Sequence, residues 1–437
     1  MIVALLLVQA FLCLSLLYNE FVLKKVGNFA TSFFYLTYFV VYIVVPIVLH
    51  VFFGGARSIV GGATDYLPGK APYILFNVCG ITLLVSSLAI SVLRRRAPFH
   101  EFVKQPATNS DKYVALLIIA GFFVFVYSTQ MSFGELLAAS RFAWTTTTDT
   151  PFLIFLNALS VYLIALSPFY IYKFNTSSNG SRLLLFICIA AIVMYAVVTK
   201  DRKFLFYLVS GWVAARYVLD GCRLRIKVRH VAIGTAMFAV MFVTNFARDM
   251  LPRYFLGEDV DLIPDIGEWL GDYFQFGDLS YFYRATIEAI HQNTDNGFLV
   301  PLALLRRIVF FFLPTQYSAG LKVEDISAIF SDVVGGEDAL RRGSQPPGLF
   351  GLFVISFGVV ATVGLMPLFA FFISWLDWVF RERRSLFRDV LLSFYLACLA
   401  YAFRGDESTS FYLPVVNFFV LLFVRHAAKM ASSVRIL

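Results

Sequence analysis

The chain has 437 residues, of which 59% are hydrophobic and 15% charged, and its mean hydropathy is +0.76. Soluble domains carry roughly 25% charged residues, so the composition excludes an ordinary soluble protein and defines a membrane protein. The net charge of +8 is spread over the ends of separate apolar stretches, which excludes a nucleic-acid-binding face.

The first apolar stretch follows Met1 at once, without a basic n-region or an A-x-A-like cleavage site. It reads as a retained span and not a signal peptide. Spans of about 20 apolar residues are expected near 2–18, 30–53, 72–93, 113–131, 151–172, 183–198, 204–219, 230–246, 348–376, 389–403 and 411–424. The chain is therefore expected to be an all-α polytopic membrane protein with about eleven transmembrane helices and one large outward-facing helical segment. Three regions follow: a bundle over 1–246, an outward-facing or interfacial helical segment over 247–347, and C-terminal spans over 348–437. The 49 Phe and 22 Tyr suit a lipid-facing surface with aromatic belts. The five cysteines lie in spans or in a basic inner loop, so neither a disulfide nor a Cys metal site is expected.

Charge sets the orientation. Alternate connections hold Lys24–Lys25, Arg94–Arg95–Arg96, Lys173 with Arg182, the group from Arg223 to Arg229, the group from Arg381 to Arg388, and Arg425, Lys429 and Arg435. That side carries 20 basic and 7 acidic residues; the other carries 15 basic and 21 acidic. Basic loops face the cytoplasm, which predicts an outer N-terminus and a cytoplasmic C-terminus. Arg216 lies within a span and is expected to pair with Asp220 at i,i+4.

The outward connection from 247 to 347 is about 100 residues long, too long to be structureless. Trp269, Tyr273, Phe276, Tyr283, Ile287 and Ile290 recur at steps of three, four or seven, which predicts one apolar helix face. Asp272, Asp278, Arg284 and Glu288 fall mainly on the other faces. Such a helix lies on the membrane surface or packs across the spans. Next, Phe298 to Leu313 is bounded by Gly297 and Pro314 and split by Arg306–Arg307, which predicts an interfacial or re-entrant segment.

Several outward arginines break the charge rule. Arg202 sits in a short turn, Arg248 and Arg253 follow a span, and Arg404 opens the turn Arg404-Gly405-Asp406-Glu407. Each reads either as a polar span exit or as a phosphate contact, for which arginine's planar fork is the best-shaped side chain. Arg306 and Arg307 are adjacent and so point about 100° apart on a helix, so at most one faces a given site. Candidate bases are Asp406, Glu407, Asp278 and His291. His291 equally suits a helix surface, and Asp406 could serve only to orient Arg404. No Walker A, Rossmann or HExxH pattern occurs, and no outward cluster has metal-ligand spacing. Neither cofactor nor metal is expected.

Four stretches together resemble the Wzy-type polysaccharide polymerases, the oligosaccharide repeat unit or O-antigen polymerases. They are Asp201-Arg202-Lys203, Leu304-Leu-Arg-Arg-Ile-Val-Phe-Phe-Phe-Leu-Pro-Thr-Gln316, Pro346-Pro-Gly-Leu-Phe-Gly-Leu-Phe-Val-Ile-Ser-Phe-Gly358, and Arg404-Gly405-Asp406. Where that family often continues with an aromatic-Pro-x-Lys-Pro run, this chain reads Tyr317-Ser-Ala-Gly-Leu-Lys322. The resemblance implies a GT-C-like glycosyltransferase of the bacterial inner membrane whose active site faces the periplasm. It would join undecaprenyl-diphosphate-linked repeat units into an O-antigen or related polysaccharide. Arg202, Arg248, Arg306, Arg307 and Arg404 would hold the diphosphate. Its partners would be the lipid-linked donor and acceptor, the bilayer and a Wzz-type chain-length regulator, with no nucleic acid. An O-antigen ligase acting on lipid A–core is the nearest rival reading, and a lipid-linked oligosaccharide flippase the rival from another class.

Overall fold

The computed structural model describes residues 1–23, 28–53, 69–94, 109–138, 150–178, 180–199, 203–222, 278–310, 323, 325–335, 346–381, 385–406 and 412–434. These residues form helices joined by turns. Nine of the helices are long and apolar enough to cross a membrane. The chain is a polytopic membrane protein. In hydrocarbon each backbone N–H must find its partner within the chain, and a helix does this along one segment.

The nine are α1 (Ile2–Phe21), α2 (Phe29–Phe52), α3 (Ala71–Leu93), α4 (Ser110–Thr129), α6 (Pro151–Thr176), α7 (Arg182–Thr199), α13 (Val359–Arg381), α14 (Leu386–Arg404) and α15 (Leu413–Met430). The shorter helices are α5 (Phe133–Ala138), α8 (Lys203–Leu219), α9 (Asp278–Asn296), α10 (Ala303–Val309), α11 (Ile326–Gly335) and α12 (Leu349–Phe357). Two expected spans differ. Helix α8 has 17 residues and is shorter than all nine. The expected span over 348–376 is two helices, because Gly358 breaks it with φ +78. The expected span over 230–246 lies outside the described residues.

The chain divides into two compact units. The first comprises Met1–Pro98, Asp265–Arg381 and Cys398–Tyr412. In it α3 packs on α1 and α13, α2 packs on α13, and α9 packs on α12, α3 and the C-terminal part of α2. A π turn over Val40–Val44 widens α2 just before Pro46, which has no N–H to donate. The first turn of α2 is capped from a distance. Asp377 of α13 accepts from Ala30 N at 2.6 Å, Thr31 N at 3.2 Å and Thr31 Oγ1 at 2.5 Å. Arg94 stands 3.5 Å from the same buried carboxylate. Helix N-termini leave amides unsatisfied, and here a residue 347 positions along the chain accepts from one of them. Nearby, the buried carboxylate of Glu20 accepts from Asn28 Nδ2 and Ser91 Oγ.

The second unit comprises Phe99–Pro264, Glu382–Ala397 and Leu413–Leu437. Helix α4 packs on α6, α7 and α15, and α6 packs on α8. Arg216 of α8 lies over the Trp212 ring, 5.8 Å from its centroid, and does not pair with Asp220. One turn back along the helix an aromatic face offers the cation a ready partner.

Candidate functional site

The most polar long helix of the first unit is also enclosed. Helix α9 carries Arg284, Thr286 and Glu288 among Tyr283, Ala285, Ile287, Ala289 and Ile290, and every residue from Tyr283 to Ile290 is buried. The sequence expectation put Arg284 and Glu288 on faces away from the core. The structure corrects this: they are 6% and 1% exposed. Their stems and heads are covered because α12, α3 and α2 all pack on this helix. Gly297, at φ +66, ends the helix, and Phe298 N donates back to Gln292 O at 3.0 Å.

Burying a carboxylate is expensive unless it is paired. Glu288 is half satisfied: one oxygen accepts from Gln292 Nε2 at 2.9 Å, and the other, Oε2, has no hydrogen-bond partner. Beside it, His50 Nε2 and the Tyr283 hydroxyl stand 3.1 Å apart, and the His50 ring packs edge-on to Tyr73. Burial, with Tyr73 adding to it, holds the Tyr283 phenol well above its usual range, so it stays neutral and able to donate.

Tyr42 ties the helix to two other stretches. Its hydroxyl accepts from Leu349 N at 3.0 Å and lies 3.1 Å from Thr286 Oγ1 and 3.4 Å from Phe403 O. Thr286 spends its own proton on Phe282 O at 2.8 Å. The single Tyr42 proton is therefore shared between Thr286 and Phe403. Gly348 N donates to Arg404 O at 2.9 Å. Helix α14 ends there in a Schellman turn, with Gly405 N bonded to Ala402 O and Asp406 N to Tyr401 O, both at 3.0 Å.

The segment before α10 caps α12. Val300 N donates to Ile355 O at 2.9 Å, Leu302 N to Ser356 O at 2.8 Å, and Leu304 N to Ser356 Oγ at 3.2 Å. This docking uses the carbonyls that the break at Gly358 leaves free. The two adjacent arginines of α10 then part. Arg307 is buried: it donates to Val323 O at 3.1 Å, lies 3.8 Å from Asp325 and covers the Tyr412 ring at 5.6 Å. Arg306 is half-buried.

The other sequence candidates are distributed as follows. His291 lies on α9, one turn beyond Ile287, with Nδ1 2.8 Å from Asp295; the contact is an ion-pair distance without hydrogen-bond angles. Asp406 follows the Schellman turn and is half-buried. Asp278 is the first residue of α9. Arg202, Arg248 and Glu407 lie outside the described residues. The structure thus brings the Arg404 turn to Gly348 and α9, and turns Arg307 into the protein. His50, Tyr42, Tyr283 and Glu288 were not expected at a site. Their one signal in the sequence is the polar pair Arg284 and Glu288, four apart within an otherwise apolar helix stretch. Among the described residues, no group of three His, Cys, Asp or Glu side chains is gathered to hold a metal ion.

A multi-pass helical membrane protein with a charged helix enclosed in one of its units is the class these features define. Comparison with known proteins goes no further: no family model, no curated protein and no solved structure matches the chain.

Proposed function

We propose that the protein is a GT-C-like polymerase of the bacterial inner membrane. It joins undecaprenyl-diphosphate-linked oligosaccharide repeat units into a surface polysaccharide at the periplasmic face. The observation that carries this reading is the meeting of motif stretches far apart in sequence. Arg404-Gly405-Asp406 is bonded to Gly348 of the Pro-Pro-Gly stretch, the far end of that stretch holds the Arg306–Arg307 segment, and all of them belong to the unit containing α9. Packing alone would be served by apolar residues; buried arginine and glutamate on an enclosed helix favour a site for a polar substrate.

In the proposed reaction, an acceptor sugar hydroxyl attacks the anomeric carbon of the donor glycan. A carbon–oxygen bond forms there, and the bond from that carbon to the lipid diphosphate breaks. Arg306 and Arg404 offset the charge that develops on the departing diphosphate. The hydroxyl proton passes to a carboxylate or imidazole, for which Asp406 and His291 are candidates. A Wzz-type regulator is the expected protein partner.

A strain lacking the gene tests the reading through its surface glycan. Glycans of a single repeat support polymerisation. Complete loss of glycan from the surface acceptor would instead indicate a ligase or flippase and overturn the proposal.

A further inference from the structure

A cavity of about 310 Å3 lies in the second unit, where the ends of α4, α6 and α14 meet the middle of α15. Its wall combines Lys173, Asp389, Asp111 and Arg425 with the apolar Leu421 and Val424. Asp389 is firmly held: Tyr172 donates to it at 2.8 Å, Lys173 at 2.5 Å, and Arg388 lies 3.5 Å away. Arg388 is itself buried, so two cations stand against this one carboxylate. Lys173 is fixed further by the Phe169 ring, 5.4 Å below its ammonium. Arg425 adds an exposed cation from α15. Lys173 and Arg425 are matched in number by Asp111 and Asp389, so the surplus of one cation comes from Arg388 behind Asp389; a monoanion suits it, and phosphate oxygens suit both lysine and arginine.

A second observation lies deeper. Asn417, Leu421 and Val424 share one face of α15 at helical spacing. Leu421 and Val424 line the cavity, and Asn417 sits one turn nearer the N-terminus of α15, behind that lining. It is fully buried, and neither Oδ1 nor Nδ2 has a partner. An unpaired amide in an apolar span is costly, and a polar atom reaching it from the cavity would remove that cost.

We infer that this cavity binds the phosphodiester headgroup of a membrane phospholipid. The phosphate lies between Lys173 and Arg425, and an ester carbonyl of the glycerol backbone accepts from Asn417 Nδ2. The site is separate from the glycosyl-transfer reading and stands without it. Free phosphate shares the headgroup's chemistry, but one held between Lys173 and Arg425 carries no second acceptor to extend to Asn417, which favours the lipid.

The full chain, purified in detergent, is extracted and assayed for intact phospholipid by mass spectrometry. The wild type is expected to retain lipid, with Arg425→Glu retaining about tenfold less, the usual scale for one charge-assisted contact. Asn417→Leu conserves size and is expected to fold as well as the wild type while also losing lipid. Adding phosphatidylethanolamine in mixed detergent micelles to delipidated wild type raises its Tm above that in detergent alone, and inorganic phosphate alone does not. Equal lipid retention by the wild type and Asn417→Leu overturns the proposal, whatever Arg425→Glu does. A full Tm shift from inorganic phosphate would assign the cavity to a free anion and overturn it as well.

Discussion

Gly348 N donates to the carbonyl of Arg404 at 2.9 Å, joining the entrance of α12 to the C-terminus of α14. The approach is possible because neither Gly348 nor Gly405 has a side chain. Gly405 lies at φ +83, and a Cβ there would come within 2.6 Å of both Gly348 N and Gly348 O. Strain and clash act together at this position.

Gly405→Ala is therefore expected to destabilise the protein by about 2 kcal/mol or more. Gly364→Ala is its control: that glycine is within α13, and an added Cβ meets nothing within 4 Å. There alanine is expected to be neutral or to stabilise by up to about 1 kcal/mol. Thermal unfolding of the two variants in detergent checks the pair. Equal melting temperatures would remove the close approach as a determinant of the fold.

Tyr42→Phe keeps the ring that stacks on Phe350 at 5.4 Å and deletes only the hydroxyl. Leu349 N then loses the acceptor it has at 3.0 Å in a buried setting. The expected loss is about 1–3 kcal/mol, the cost of leaving a buried donor unsatisfied. Thr286→Val removes a different partner of the same hydroxyl, and Thr286 Oγ1 lies 3.1 Å away. Because the two share a contact, the double variant should lose less than the two single losses combined. A double-mutant cycle on unfolding free energies measures this, and strict additivity would deny the coupling.

Most of the expected spans were legible in the sequence, because hydrocarbon leaves the backbone few alternatives to a helix. The break at Gly358 was not. The residues on either side, Phe357 and Val359, are apolar, and one glycine does not end a span by itself. The break at Gly358 is held by the segment around Val300 and Leu302, which docks on the carbonyls of Ile355 and Ser356, a tertiary event some 50 residues apart in sequence. The enclosure of α9 was equally hidden. Arg284 and Glu288 read as lying mainly off the apolar face, and only the packing of α2, α3 and α12 around them makes them buried. The candidate site was visible as motifs, Arg306–Arg307 and Arg404-Gly405-Asp406, but its companions His50 and Tyr42 carry no spacing signal, and the spacing of Tyr283 marks only an apolar helix face.

Asp377 shows how a buried charge near the end of a span can serve a structural purpose. Its carboxylate accepts from Ala30 N, Thr31 N and Thr31 Oγ1, with Arg94 nearby. Asp377→Ala strips the first turn of α2 and leaves the guanidinium without this anion. The expected destabilisation is about 3–5 kcal/mol, as for breaking a buried ion pair. Asp377→Asn keeps one acceptor oxygen and should lose less. Unfolding midpoints in the order wild type, Asn, Ala check this; an alanine variant as stable as the wild type would mean that the cap contributes nothing.

The adjacent arginines of α10 give the sharpest separation between structure and proposed chemistry. Arg307 holds Val323 O, lies near Asp325 and covers Tyr412, so its work is to bind the segments after α10 to that helix. Arg307→Ala is expected to lower stability by about 2–4 kcal/mol, because it leaves a buried carbonyl short of a charged donor and opens a gap beside the ring. Arg307→Lys should restore little, since an ammonium lacks the planar fork whose edges reach Val323 O and Asp325 while its face covers the Tyr412 ring. Arg306, half-buried on the same turn, is expected to behave oppositely. Arg306→Ala should change the melting temperature little, yet reduce polymer formation on lipid-linked repeat units by about a hundredfold, the scale for losing one donor to a developing anion. The two variants are compared by thermal unfolding and by chain-length distribution of the glycan made. A large fall in stability for Arg306→Ala, or full activity in it, would exclude Arg306 from the diphosphate.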